Sequence, residues 1–270
     1  MGLPAAILLG IIQGLTEFLP VSSSAHLILA RAFFGWEMPE DFGLAFDVAL
    51  HIGTLAAIVT YFRAEIAAMI RSLPLALERD PGPAGRMIRL IAVGTLPVVL
   101  VGLTLSDYIE GALRTPAVTA VTLTIGAVAM LIAERLGDRR RSEADLTFLD
   151  VVLIGCAQAS ALVPGMSRSG TTIAVGMFLG VRRDAAARFT FLLAMPAMVA
   201  AAAKEGLELT EMPLAPGSGQ TMVVGMIVSA LVGYLTIKYF LRFLAGNRLD
   251  VFAYYRLLLA ALTVAWLLRH

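Results

Sequence analysis

Two short stretches hold the residues that could do chemistry: "QGLTEFLPVSSSAH", residues 13–26, and "PGMSRSGTT", residues 164–172. The second sets Arg168 among hydroxyls. Pro164 and Gly165 suit a turn, Gly170 admits unusual backbone angles, and Ser169, Thr171 or Thr172 could cap a helix starting near 172. Free N–H groups at a helix start attract anions, and arginine adds a permanently charged fork that matches phosphate oxygens. These features describe an oxyanion cradle, with phosphate the first candidate. The plainer alternative is a capped turn whose arginine snorkels to a membrane interface. Against it, an arginine among apolar flanks is costly and usually functional.

In the first stretch Gln13 and Glu17, four apart, share one face of a helix, and His26 follows Ser22, Ser23 and Ser24. A carboxylate, an imidazole and several hydroxyls this close together can serve acid–base or nucleophilic roles. The carboxylate and an amide oxygen could also help hold a hard cation such as Mg²⁺ or Ca²⁺. The alternatives are an ion pair from Glu17 to Arg168 that only locks two parts of the chain together, and a hydrogen-bonded core histidine at His26. His51, in "DVALHIGT", is read as structural; Asp47 is left undecided. Arg182, Arg183 and Arg188 are read as an edge cluster, and Arg256 in "FAYYRLLLA" as a snorkelling side chain. The chain lacks the Walker, CxxC and HExxH patterns, which argues against nucleotide hydrolysis and a zinc site.

The elements that must position these groups are membrane helices. The chain has 270 residues, 59% hydrophobic and 15% charged, with a mean hydropathy of +0.83. A soluble domain would carry about 25% charged residues. No basic face for nucleic acid is expected. The single cysteine, Cys156, forms no internal disulfide, and the N-terminus lacks the basic region of a cleaved signal. Six segments, about 43–62, 88–106, 117–135, 186–203, 220–241 and 251–268, approach the length of about 20 apolar residues that a crossing needs. Residues 3–19 with 25–34, and 147–163 with 171–180, are short apolar halves around the two polar stretches. They are expected to form re-entrant or broken-helix hairpins, tolerated at membrane depth only where protein or water satisfies the backbone. The basic loops 63–89, 135–141 and 238–248 are expected inside, and the acidic loops 107–114 and 204–219 outside.

The two hairpins also resemble each other. Gly10 and Gly155, and Gln13 and Gln158, are each 145 apart; Pro20 and Pro164 are 144 apart; Phe46 and Phe189 are 143 apart. The expected architecture is a single all-α polytopic membrane domain, residues 1–270. It has six crossing helices plus two re-entrant hairpins in two inverted-topology repeats, 1–140 and 141–270. Such repeats place a site near the midplane between the halves.

With these motifs the chain resembles the undecaprenyl-diphosphatase family of the bacitracin-resistance type, over nearly its whole length and including "FDVALHIGT" and the late "YR". The resemblance implies a phosphatase of the bacterial inner membrane, facing outside, that removes the terminal phosphate of undecaprenyl diphosphate and so recycles the lipid carrier of cell-wall precursors. It further implies roles for Glu17, His26 and Ser23 in chemistry, and for Arg168, Ser167, Ser169 and Thr172 in phosphate binding. Gln13 stands where the family's motif begins with Glu or Gln. Mg²⁺ or Ca²⁺ is implied as cofactor; Gln13 would be a neutral ligand. Nucleophilic attack by Ser23, His26 or water stays open, as does the oligomeric state, a homo-oligomer included. The rival expectation is a secondary transporter of a lipid phosphate or small anion, which needs binding groups but no nucleophile. A purely structural scaffold would leave two polar breaks in apolar surroundings unexplained.

Overall fold

The computed structural model describes residues 2–35, 40–210 and 218–269. Among them the chain is helical: α1 Leu3–Thr16, α2 Ser23–Phe34, α3 Glu40–Tyr61, α4 Arg63–Arg71, α5 Gly82–Ala112, α6 Pro116–Leu136, α7 Phe148–Ser160, α8 Arg168–Phe178, α9 Arg183–Thr210, α10 Ser218–Leu244 and α11 Asp250–Leu267. All six expected crossing segments fall on helices. Five are long and apolar enough to cross a membrane: Gly82–Ser106, Pro116–Leu136, Arg183–Lys204, Ser218–Leu244 and Asp250–Leu267. The first expected crossing qualifies only when Ala45–Tyr61 is joined to Arg63–Arg71 across a 76° bend. The chain is therefore a multi-pass helical membrane protein. Of the acidic loop expected at 204–219, residues 211–217 lie outside the described residues.

Local sequence explains the helix starts. Pro4 and Pro116 occupy first-turn positions that need no N–H donor. Thr115 caps α6 by accepting from Val118 N. Thr147 and Asp150 form a reciprocal capping box on α7, and Arg141 binds the Asp150 carboxylate at 2.5 Å. In the loop before it, the Ser142 backbone N–H and hydroxyl hold the Asp145 carboxyl below the usual carboxylate range.

Helices α1–α2 and α7–α8 are the two expected hairpins. Each breaks at a serine whose φ is positive: Ser22 (φ 74°, ψ 101°) caps α2 by accepting from Ala25 N, and Ser167 (φ 66°, ψ 108°) caps α8 by accepting from Gly170 N. So α8 starts at Arg168 and not near 172, and its cap is Ser167 and not Ser169, Thr171 or Thr172. The two caps are 145 residues apart, the spacing of the glycine and glutamine pairs; the prolines, at 144, sit one position off that register.

The hairpins pack on long helices at glycines. α1 lies on α10, and α7 lies on α5. A Cβ at Gly10 would be 2.8 Å from the Gly225 carbonyl oxygen, and one at Gly155 only 2.2 Å from the Gly94 carbonyl oxygen. Close backbone approach of this kind is how helices pack in lipid, where no hydrophobic drive separates helix from tail. The main core gathers around the second hairpin and includes Phe62, Phe189, Phe191 and Phe240. Leu100 and Leu103 of α5, Val121 and Ile125 of α6, Leu231 of α10 and Leu258 of α11 are exposed, as lipid-facing side chains should be.

Candidate active site

The hairpin tips meet. Ser24 Oγ accepts from Gly165 N at 3.4 Å, and Ser169 Oγ donates to Leu19 O at 3.0 Å, so each tip is tied to the other through the second residue of its helix. Beneath them lies Arg256 of α11, fully buried. Its guanidinium donates to the carbonyls of Pro20, Gly165 and Met166 in the two tips, and to Thr122 and Leu123 in α6. The expected snorkelling of Arg256 is thus corrected. Five carbonyls supply a solvation shell that an interface would otherwise provide, and the arginine staples both breaks from below.

Glu17, 8% exposed, is the centre of the junction. Its Oε2 accepts from Ser23 Oγ at 2.6 Å and from Gln13 Nε2 at 3.0 Å; its Oε1 accepts from Nη2 of Arg168. Gln13 and Glu17 share a helix face, as their spacing predicts. The ion pair weighed above as a mere lock is present, yet it sits on the wall of a cavity of about 290 Å³. That cavity is lined by Glu17, Ser23, Ser167 and Arg168 together with Gln158, and continues past Leu27, Val98 and Met198. Among the described residues the guanidinium bonds run through Nη2, to Glu17 and to Met198 Sδ at 3.2 Å.

The remaining expected residues divide. Ser167 lines the cavity; Ser169 and Thr172 are turned to structure. Ser169 holds Leu19, and Thr172 Oγ1 donates to Arg168 O at 2.6 Å and accepts from Thr190 Oγ1 at 3.0 Å. His26 lies off the cavity. Its Nδ1 is 2.7 Å from Ser22 O, which can only accept, so Nδ1 carries the proton and Nε2 accepts from the Tyr255 hydroxyl at 2.7 Å. The two rings stack at 5.6 Å. His26 thereby clamps the positive-φ Ser22 that aims Ser23.

Sequence reasoning passed over three lining residues. His51, read as structural, presents Nε2 3.9 Å from Glu17 Oε2 while Nδ1 donates to Asp47 O. Asp47 is held by Arg31 and by Arg114 at 2.9 Å on the cavity's rim. The clue lay in the spacing: Asp47 and His51 are one helical turn apart in the largely apolar run that follows Gly43. Gln158 lines the wall from the last turn of α7.

Among the described residues Glu17 has the Gln13 amide beside it as a further candidate oxygen ligand for a hard cation. Among the described residues no group of three or more His, Cys, Asp or Glu could hold a metal ion, and Glu17 and Asp47 are already engaged by arginines.

Fold and site together define a helical membrane protein with a serine–carboxylate pair and an arginine brought together between two helical hairpins. Comparison with known proteins narrows this class. The chain belongs to the family described as bacitracin resistance protein BacA, whose model matches residues 6–262. It is 45% identical to the undecaprenyl-diphosphatase of Rubrobacter xylanophilus over 97% of both chains. It is 44% identical to that of Nitrosococcus oceani over 94% of this chain and 95% of the relative. To undecaprenyl-diphosphatase 2 of Stutzerimonas stutzeri it is 44% identical over 97% of both.

Proposed function

We infer that this chain is an undecaprenyl-diphosphatase, which hydrolyses undecaprenyl diphosphate to undecaprenyl phosphate and inorganic phosphate. Its full-length likeness to relatives of that name supports the activity. The observation that carries the mechanism is Glu17, which gathers Ser23 from one hairpin and Arg168 from the other.

Ser23 and Glu17 form a nucleophile–base pair at hydrogen-bond distance. The terminal phosphate enters beside Arg168, whose Nε and Nη1 remain for its oxygens, and the N–H groups at the start of α8 add to the field. Ser23 Oγ attacks phosphorus in line, its proton passing to Glu17. The bond to the bridging oxygen breaks and undecaprenyl phosphate leaves. Glu17 gives that proton up to the departing undecaprenyl phosphate, and water then attacks the phosphoserine, passing a proton to the ionised Glu17, which returns it to Ser23 Oγ as the P–O bond breaks and phosphate is released. The apolar continuation of the cavity receives the start of the lipid tail. His26 acts by holding Ser22, and through it Ser23. The family resemblance implies Mg²⁺ or Ca²⁺; among the described residues no group of three or more His, Cys, Asp or Glu would hold it, and none of these steps runs through it.

The wider architecture we propose is two inverted repeats, 1–140 and 141–270, in a single membrane domain with six crossings and the site facing the outside of the plasma membrane. Swapped packing supports this: the first hairpin lies on a helix of the second half, and the second hairpin on a helix of the first. Quenching purified enzyme in turnover with acid and searching for phosphate on Ser23 tests the chemistry. A trapped phosphoserine is expected; its absence, with single-turnover release unchanged in Ser23→Ala, would leave water as the nucleophile.

A further inference from the structure

Gln158 is 1% exposed and lines the cavity, yet among the described residues neither Nε2 nor Oε1 has a hydrogen-bond partner. Buried side-chain amides are normally satisfied, because water given up must be replaced. Gln13, its counterpart 145 residues earlier, follows that rule in part by donating Nε2 to Glu17. Slack in the chain does not explain the exception. Gln158 sits in the last turn of α7, where its carbonyl accepts from Ala161 N at 3.1 Å, and the neighbouring Ala157 carbonyl accepts from Thr171 Oγ1 of α8. The backbone holds the amide in place in the cavity that Arg168 and Ser167 also line, with no partner among the described residues.

We propose that Gln158 is a substrate-binding residue: its Nε2–H donates to a non-bridging oxygen of the terminal phosphate held by Arg168. An amide suits that place. It adds a donor without a second charge, so it helps hold the diphosphate without binding the released dianion as tightly as another arginine would. The proposal rests on the phosphatase function inferred above.

The test uses full-length protein in detergent with undecaprenyl diphosphate, and thermal melting with and without orthovanadate. Gln158→Leu is expected to lower kcat/KM about 10- to 100-fold, the worth of one hydrogen bond to a charged group. Its melting temperature should not fall, since an unsatisfied amide is replaced by a carbon side chain of similar size, and its vanadate-induced shift should shrink. Gln158→Glu, which sets a carboxylate against the anion, is expected to lose more activity than Gln158→Leu; a packing role would give the opposite order. Activity of Gln158→Leu within twofold of wild type overturns the proposal while leaving the phosphatase reading intact. Should Gln158→Leu fail to fold, activity of Gln158→Glu within twofold overturns it instead. Wild-type protein that releases no phosphate would sink the functional reading, and this inference with it.

Discussion

Arg168 rests against Glu17, so an incoming phosphate has to draw the guanidinium's remaining donors without losing the carboxylate that the proposed mechanism gives to Ser23. This division of labour makes the guanidinium's shape matter as well as its charge. Arg168→Lys keeps the charge but loses the fork, and we expect kcat/KM for undecaprenyl diphosphate to fall about 100-fold, the scale of one preorganised anion donor. Melting temperature in detergent should stay within a few degrees, and full activity in this variant would remove the cradle from the mechanism. Treatment with EDTA should leave the melting curve unchanged, because among the described residues no group of three or more His, Cys, Asp or Glu could hold a cation; a melting temperature that falls with EDTA would contradict this. The meeting of Glu17, Ser23 and Arg168 was legible in the two motifs, since all three are unusual types for an apolar chain. What was not legible was direction. Ser169, Thr172 and His26 are equally polar and equally close in sequence, but their partners lie in Leu19, Thr190 and Tyr255, and only packing decides whether a hydroxyl faces a cavity or a carbonyl.

At the scale of helices, the two hairpins solve one problem twice: each must end a helix between apolar flanks and satisfy the freed backbone. Each does so with a left-handed serine cap, a following residue aimed at the site, and a third residue that ties the opposite tip. Ser22, Ser23 and Ser24 stand 145 residues before Ser167, Arg168 and Ser169. The equivalent first positions of α2 and α8 therefore carry the proposed nucleophile and the anion fork. Arg256 completes both tips. Arg256→Met strips its charged donor from the carbonyls of Pro20, Gly165 and Met166, and should cost at least about 3 kcal/mol at about 1 kcal/mol or more apiece. Thermal melting would register that loss, and phosphate release should collapse although Arg256 does not line the cavity; an unchanged melting temperature would contradict the staple. Gly155→Ala should also destabilise, by roughly 1–3 kcal/mol of overpacking, because its Cβ would meet the Gly94 carbonyl oxygen. Gly10→Ala should be milder. The glycine pair was visible in the sequence as a spacing, but the helix each glycine faces is a long-range contact that no local pattern encodes. Arg256 misled for the same reason: near a helix start an arginine can reach an interface, and the five carbonyls around it come from three distant segments.

Across the whole molecule, charge and packing have to agree on orientation. Basic residues cluster in the loops around α4, between α6 and α7, and after α10, so the positive-inside rule leads us to expect those loops on the cytoplasmic side. The cavity's rim carries Arg114, just after α5, at the other end of that helix from Arg86 and Arg89. The site should then open outward, where a lipid diphosphate left after glycan transfer would be presented. Cysteine labelling in intact cells tests this. Cys156 is exposed and is first replaced by serine, then single cysteines are placed at Ala112 and Arg140, both exposed positions at opposite ends of the α5–α6 pair. A membrane-impermeant maleimide should label Ala112→Cys in intact cells and Arg140→Cys only after permeabilisation. The reverse pattern would turn the site toward the cytoplasm and contradict the loop charges. Equal labelling at both would mean that α5 and α6 do not each cross, and the swapped hairpin packing would then need another explanation than inverted repeats.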